Sequence, residues 1–236
     1  MHINTYFDKI YLLNLFRRPD RLVQSKSRLE SVGIKYEVFN GVDGSVMNYI
    51  WMKTGNDHFT NPAYLACSIS QLSIYQDAIS NGYQRILIVE DDNLVSKNAI
   101  QTFEEMEIPE WGDLLYLGYI PLSDDCSMWD YNRYGINGEN AISDKIFSPK
   151  NLWGLFAYGI GRSLMDEMVN VYNLEFPMEI DRYFVQKIQT RGRSLAVVPQ
   201  IFCCQDGVYS DNLGFAPPGM KQKSIDTRFA KLEDYI

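Results

Sequence analysis

The sequence predicts an α/β fold in which a mainly parallel central sheet carries helices on both faces. The first observation behind this is the opening of the chain: an apolar run at 9–14, a basic loop, a helical stretch and a second run at 35–40. Together they make a β-α-β unit with a right-handed crossover. The second is Ile86-Leu87-Ile88-Val89, four successive branched apolar residues, the mark of a parallel-sheet strand buried on both faces. The third is the alternation of helical and extended patterns on either side of that run. With 236 residues and 46% hydrophobic content, one domain over residues 1–236 is expected.

Taken in order, strand 9–14 runs into Arg17-Arg18-Pro19-Asp20-Arg21. The helix that follows has Asp20 in its first turn, Leu22, Leu29 and Val32 as apolar markers, and Gly33 as its stop. After strand 35–40 come a glycine turn holding Asp43 and a short helix at 46–53. The clearest helix has Asn61 as N-cap, Pro62 as first residue and Asn81-Gly82 as its end. Leu65, Ile69, Leu72 and Ile79 form its apolar stripe. It delivers the chain into strand 86–89, after which a helix at 99–106 and a strand at 114–117 follow. Residues 119–150 lose periodicity, so a long flexible functional loop, or a stretch holding a small hairpin, is expected there. Strand character resumes at 152–161, with helices from Ser163 to Tyr172 and from about 177 to Gly192, then a late strand at 194–199. Residues 214–236 read as a charged peripheral tail.

The central strand ends in Glu90-Asp91-Asp92. Three adjacent anions repel one another, so they either sit in bulk water or are held by something cationic. In an open α/β sheet the carboxyl end of a central strand faces the ligand crevice. Alternation along a strand puts Glu90 and Asp92 on one side and Asp91 on the other. Two carboxylates converging from one face suit a hard divalent cation that also takes phosphate oxygens and water. The acidic run also resembles the pocket of a phospho-receiver domain, but the acceptor position would fall on Gly118 and the run lies too far along the chain, so that reading is rejected.

Composition narrows the partners. A net charge of −8 argues against nucleic acid, which demands a basic footprint. Cys67, Cys126, Cys203 and Cys204 form no CxxC pair and read as reduced core thiols. With no apolar signal region, no run of membrane-spanning length and no N-x-Ser/Thr sequon, a cytoplasmic protein without a transmembrane segment is expected. The 16 tyrosines exceed the needs of a core and suit carbohydrate or protein contacts.

Several ordered motifs, "YLLNLFRRPDRL", "FNGVDG", "YLACSISQLSIYQDAISNGYQRILIVEDD", "WGDLLYLG", "LWGLFAYGIGRSLMDEM", "EIDRYFVQ" and "PQIFCCQD" with its "YSDN" turn, resemble those of glycosyltransferase family 25, which contains lipooligosaccharide and collagen galactosyltransferases. The resemblance implies a GT-A fold, a Rossmann-like sheet that binds a nucleotide-sugar with a divalent metal through a DxD-like motif. It further implies a metal-dependent inverting hexosyltransferase in glycan biosynthesis, moving galactose or glucose from a UDP-sugar to a hydroxyl of a glycan or glycoprotein. Asp92, with Glu90, would hold Mn2+ or Mg2+. Asp91 would meet ribose or fix its loop. Leu13 and Asn14 would lie beside the base, and Arg17, Arg18 and Arg21 would reach phosphate or base or else form a solvated helix start. Asp43 would bind ribose or base, or cap its own turn.

Asp181 is then the candidate general base, its ionised form favoured by a helix N-terminus, with Glu179 in reserve. Trp153, Phe156 and Tyr158 would wall the acceptor site. Where the family usually has Ser-His, this chain has Ser70-Gln71. No late histidine is present to serve as a metal ligand, so Gln205, Asp206 or water would stand in. Two rivals remain. A nucleotidyltransferase would open with a Gly-rich phosphate loop, and here that loop is Phe16-Arg17-Arg18-Pro19. A non-catalytic relative binding glycans or partners would keep the fold without the chemistry.

Overall fold

The computed structural model describes residues 1–47, 62–121, 140–174, 177–205 and 230–236. Its main sheet has seven strands: β1 (Lys9–Leu15), β2 (Glu37–Gly41), β3 (Arg85–Glu90), β5 (Leu114–Pro121), β6 (Ile146–Phe147), β7 (Leu152–Gly161) and β8 (Leu195–Val197). They lie in the order β2-β1-β3-β7-β5-β8-β6. Pairing is parallel for β1 with β2, β1 with β3 and β5 with β8, and antiparallel at β7 and β6. Every strand but β7 and β6 therefore runs one way, so the sheet is mainly parallel. A second, two-stranded sheet pairs β4 (Asn93–Val95) with β9 (Phe202–Cys204).

Helices cover both faces because strand side chains alternate. Tyr11, Leu13, Ile86, Ile88 and Tyr116 point to one face, where they pack with α3 (Pro62–Ser80), α5 (Arg162–Leu174) and α6 (Ile180–Tyr183). Ile10, Leu12, Leu87, Val89 and Leu115 point to the other, against α1 (Ile3–Tyr6), α2 (Pro19–Ser31) and α4 (Ala99–Glu104). β5 is buried along its whole length, as a central strand covered on both sides should be. Among the described residues, no helix is long and apolar enough to cross a membrane.

The structure departs from the sequence reading in several places. Of the apolar stripe expected on α3, Leu72 is buried and Ile79 packs against the core, but Leu65 and Ile69 are only partly covered, and Ser68, Ser70 and Gln71 are buried beside Ile74, Tyr75 and Ala78. Packed against the sheet on one side and α5 on another, this helix is covered on more than one side, so its amphipathic pattern is weak. β5 runs to Pro121 and β6 forms at 146–147, both inside the stretch expected to be a loop; its middle, 122–139, lies outside the described residues. So do Asn61 and most of the helix expected at 46–53, of which the turn Gly44–Val46 is described. Ser163 lies inside α5 and does not cap it.

The segment expected to be one helix to Gly192 is instead α6 followed by a π turn, Phe184–Ile188, and a 3₁₀ turn, Gln189–Arg191. Of the tail expected to be peripheral, residues 214–229 lie outside the described residues, and 230–236 are docked on the fold. Val95 and Ile236 exchange two backbone hydrogen bonds of 2.9 Å, and Tyr235, 5% exposed, packs with Leu94 and Cys203. An aromatic ring near the end of a charged segment gave little hint of that docking.

Candidate active site

Parallel pairing brings the carboxyl ends of three strands together. Leu13 of β1 lies opposite both Glu90 of β3 and Phe39 of β2. At that edge β3 does not open into a loop: Asn93 begins β4 after only two residues, so the acidic triplet is a tight link between two sheets. Asn93 fastens the link by donating through Nδ2 to the carbonyls of Glu90 and Phe156.

The cation required to hold these acids is Arg21. Its Nη1 donates to Asp91 Oδ1 at 2.9 Å and lies 3.6 Å from Asp92 Oδ2. Asp91 also accepts from Asn14 Nδ2 at 2.5 Å and is 6% exposed. Through these bonds Asp91 ties its link to β1 and α2. Burial, then Asp92, pushes its carboxyl up to about 6 against the opposing pull of Arg21 and Asn14. Asp43 caps its own turn by accepting from the Ser45 N–H at 2.9 Å, and it also receives Arg17 Nε at 2.7 Å. Arg18 forks onto Asp20 at the exposed helix start.

Two pockets meet at the link. The first, of about 100 Å³, is lined by Leu13, Asn14, Arg17, Arg21, Ser70 and the acidic triplet, among others. Its floor carries an unsatisfied group: Asn14 is 2% exposed, and its Oδ1 has no hydrogen-bond partner among the described residues. A buried acceptor beside a cavity is suited to an N–H or O–H of a ligand. Gly44 brings its backbone against the start of α3, where a Cβ would lie 2.8 Å from Ala63 Cα. Ser70 accepts from the Val42 N–H at 2.8 Å and so ties this turn to α3.

The second pocket, of about 370 Å³, shares Cys67, Glu90 and Asp92 with the first and adds Trp153, Gly154, Glu179, Asp181 and Arg182. Its volume is within the roughly 300–1,000 Å³ of small-molecule sites. Gly154, at φ +94°, turns its N–H onto the Asp181 carboxylate at 3.2 and 3.3 Å. The helix-dipole expectation for Asp181 fails: burial outweighs the Gly154 hydrogen bond, α6 is a single turn, and the carboxyl is pushed up to about 7. Burial first, then Asp92, Asp91 and Asp181, also raises Glu90. Glu179 lies 3.4 Å from Arg182.

Trp153 is half-buried and donates through Nε1 to Asn151 Oδ1 at 2.7 Å. Phe156 lines the same pocket. Tyr158 does not wall an acceptor site. It is fully buried in the core shared with α3, with its hydroxyl directed at Gln71 and Tyr75. Gln205 reaches the link through its backbone, donating to the Asp92 carbonyl at 3.1 Å; Asp206 lies outside the described residues.

Sequence reasoning missed the parts played by Ser70, Gly154 and Arg182. A buried Ser-Gln pair on an otherwise apolar helix, and a glycine inside a strand, were the available signals.

As metal ligands, the described residues offer two hard carboxylates at the junction, Glu90 and Asp92. No group of three or more His, Cys, Asp and Glu among them is gathered to hold an ion. The pair fits a divalent cation whose remaining ligands come from a bound phosphate and water, and the repulsion felt by Glu90 is what such an ion would relieve.

Comparison with known proteins places part of the chain. Residues 7–120 match the model of glycosyltransferase family 25 (LPS biosynthesis protein). A probable inactive glycosyltransferase 25 family member 3 of Bos taurus is 30% identical over 132 residues, covering 48% of this chain and 22% of the relative. Procollagen galactosyltransferase 1 of Danio rerio is 26% identical over 134 residues, 48% of this chain and 21% of its own length. These matches thus span about a fifth of the curated relatives. A solved glycosyltransferase involved in glycosylation of the major capsid of PBCV-1 aligns over 86% of this chain and 94% of its own, with 13% identity and a TM-score of 0.48, too low a likeness to weigh beside the sheet order itself. Residues 7–120, just under half of the chain, are thus similar to glycosyltransferase family 25.

Proposed function

We propose that the cleft transfers a hexose, galactose or glucose, from a UDP-sugar to a hydroxyl of a glycan or glycoprotein, inverting the anomeric centre. The observation that carries this reading is the meeting of two unlike pockets at Glu90 and Asp92. One is narrow, with the unsatisfied Asn14 acceptor in its lining and the Arg17 and Arg21 guanidinium groups suited to a nucleoside diphosphate. The other is wider and aromatic on one side, with a carboxyl poised near neutrality.

In the proposed reaction Asn14 Oδ1 accepts from the nucleoside, while Arg17 and Arg21 face the diphosphate. A divalent cation, Mn2+ or Mg2+, held by Glu90 and Asp92, would neutralise charge on the departing diphosphate. Asp181 takes the proton of the acceptor hydroxyl as its oxygen bonds to the anomeric carbon and the bond from that carbon to the diphosphate oxygen breaks, leaving UDP. A base near pH 7 balances being ionised against proton affinity, and the about 7 reached by Asp181 meets that condition. Trp153 offers a ring face to the acceptor sugar.

Galactosyltransferases among the relatives support transfer. A second reading is favoured by a specific observation: several matching relatives are named inactive. On that reading the cleft binds a nucleotide-sugar or glycan without turnover.

UDP release from UDP-galactose and UDP-glucose, with and without Mn2+ and acceptor, separates them. Metal-stimulated UDP release supports transfer. UDP binding without any release supports the binder, and absence of UDP binding by calorimetry removes both.

A further inference from the structure

A row of buried polar side chains leads to Glu90 from inside the protein. The Tyr75 and Tyr158 hydroxyl oxygens are 2.5 Å apart, Tyr158 Oη is 2.8 Å from Gln71 Oε1, and Gln71 Nε2 is 3.3 Å from Glu90 Oε1. Tyr75, Tyr158 and Gln71 are all fully buried, on α3 and β7. Apolar residues would fill these positions without needing partners, since a buried polar group destabilises unless it is satisfied.

The direction of the row is set at its outer end. There the Gln71 amide nitrogen donates to Glu90 Oε1. Its Oε1 then faces Tyr158, which must donate, leaving the Tyr158 oxygen to accept from Tyr75. Every donor points toward Glu90, an arrangement in which each bond polarises the next.

We propose that Gln71 is a positioning residue for Glu90. The Tyr75 and Tyr158 hydroxyls fix its amide in rotation, and the amide fixes the carboxylate at the junction of the two pockets, where it is presented to a divalent cation and the donor diphosphate. The metal-binding part rests on the proposed reading of the cleft; the geometric part stands without it. Its neighbour Ser70 does the corresponding work for the Val42 turn, so two successive residues of α3 hold the two walls of the narrow pocket.

The test uses Gln71→Met, of similar size but with no donor, and Tyr158→Phe, which frees the amide to rotate while leaving its nitrogen in place. Mn2+-dependent UDP affinity is measured by calorimetry for each, alone and with Glu90→Gln. An outer-shell partner typically contributes about 10–100-fold to metal affinity, so Gln71→Met should weaken it by at least about 10-fold and Tyr158→Phe by less. Neither should add to Glu90→Gln. Full, additive losses in the double variants, or unchanged affinity in both single ones, overturn the proposal.

Crystal structures of the same variants distinguish its failure from that of the functional reading. If the wild type binds no Mn2+ or UDP, the reading of the cleft falls, yet a displaced Glu90 carboxylate in Gln71→Met still supports the positioning role and an unmoved one refutes it. Should Gln71→Met not fold, Tyr158→Phe carries both measurements.

Discussion

The two pockets that share Glu90 and Asp92 are built in opposite ways. On the narrow side, charges are matched: Arg21 with Asp91, Arg17 with Asp43, and the Asn14 amide on the remaining Asp91 oxygen. On the wide side, Glu90, Asp92, Glu179 and Asp181 crowd one cavity with Arg182 as their basic neighbour in its lining, and burial first, with neighbouring carboxylates adding to it, raises Glu90 and Asp181. Matched charges stabilise a shape, whereas crowded ones store a readiness to take up a cation or a proton. The difference implies that substitutions on the narrow side should weaken the fold, and those on the wide side should weaken the chemistry.

The largest effect expected is on the wide side. Asp181→Asn should lower sugar transfer by the roughly 10²–10⁴ that a general base supplies while leaving UDP affinity near the wild-type value. Parallel loss of UDP binding would place Asp181 on the donor side and undo the contrast. On the narrow side, Arg21→Met removes the partner of a buried carboxylate, a change that typically destabilises by about 3–5 kcal/mol. Arg21 is 8% exposed and Asp91 6%, so little water is available to compensate. Urea denaturation should register the drop, and a variant as stable as the wild type would show that the acidic link holds itself together.

Asp92 belongs to both pockets and tests where they join. Asp92→Asn keeps the shape and the backbone bond from Gln205 but exchanges an anionic ligand for a neutral one. Because partners one shell further out already contribute about 10–100-fold to metal affinity, Mn2+-dependent UDP affinity should fall at least that far, with metal-free UDP binding little changed. Equal losses with and without Mn2+ would assign Asp92 to nucleotide contact instead.

How far the cleft was legible in the sequence follows the same division. The narrow side comes from segments that are strands and turns in order, 13–21, 41–44 and 90–92, so alternation singled out the triplet and the family resemblance singled out Leu13, Asn14, Arg17 and Arg21, which the structure gathers around one pocket. The wide side joins residues some 90 positions apart across antiparallel β7, whose direction no local pattern encodes. Trp153 and Tyr158 both looked like strand aromatics available to a ligand, and only the register, Tyr158 opposite Ile88 and Trp153 opposite Ile120, separates a core ring from a pocket wall. Helix propensity near residue 181 was read correctly as a helix start, but the helix proved too short and too enclosed for its dipole to decide the charge of Asp181.

The smallest effect is on stability, and its sign distinguishes crowding from matching. Asp181 has an ordinary carboxyl value of 3.8 and is raised to about 7 in the folded protein. Between those values the folded state binds more protons than the unfolded state, so this group makes stability fall as pH rises from about 4 to about 7. The usual paired carboxylate does the reverse, gaining stability over acid to neutral pH. Because Asp181 is partly open to the cleft, solvent moderates the penalty, and an effect on the order of 1–2 kcal/mol is expected. Asp181→Asn, which keeps the shape without the ionisation, should therefore match the wild type near pH 4.5 and be more stable than it near pH 7.5, as read from urea midpoints at the two values. Added Mn2+ with UDP should narrow that gap by offsetting the negative charge that makes Asp181 costly. A variant less stable than the wild type at pH 7.5 would mean that the Asp181 carboxylate is a matched charge after all, and that the wide pocket is built on the same rule as the narrow one.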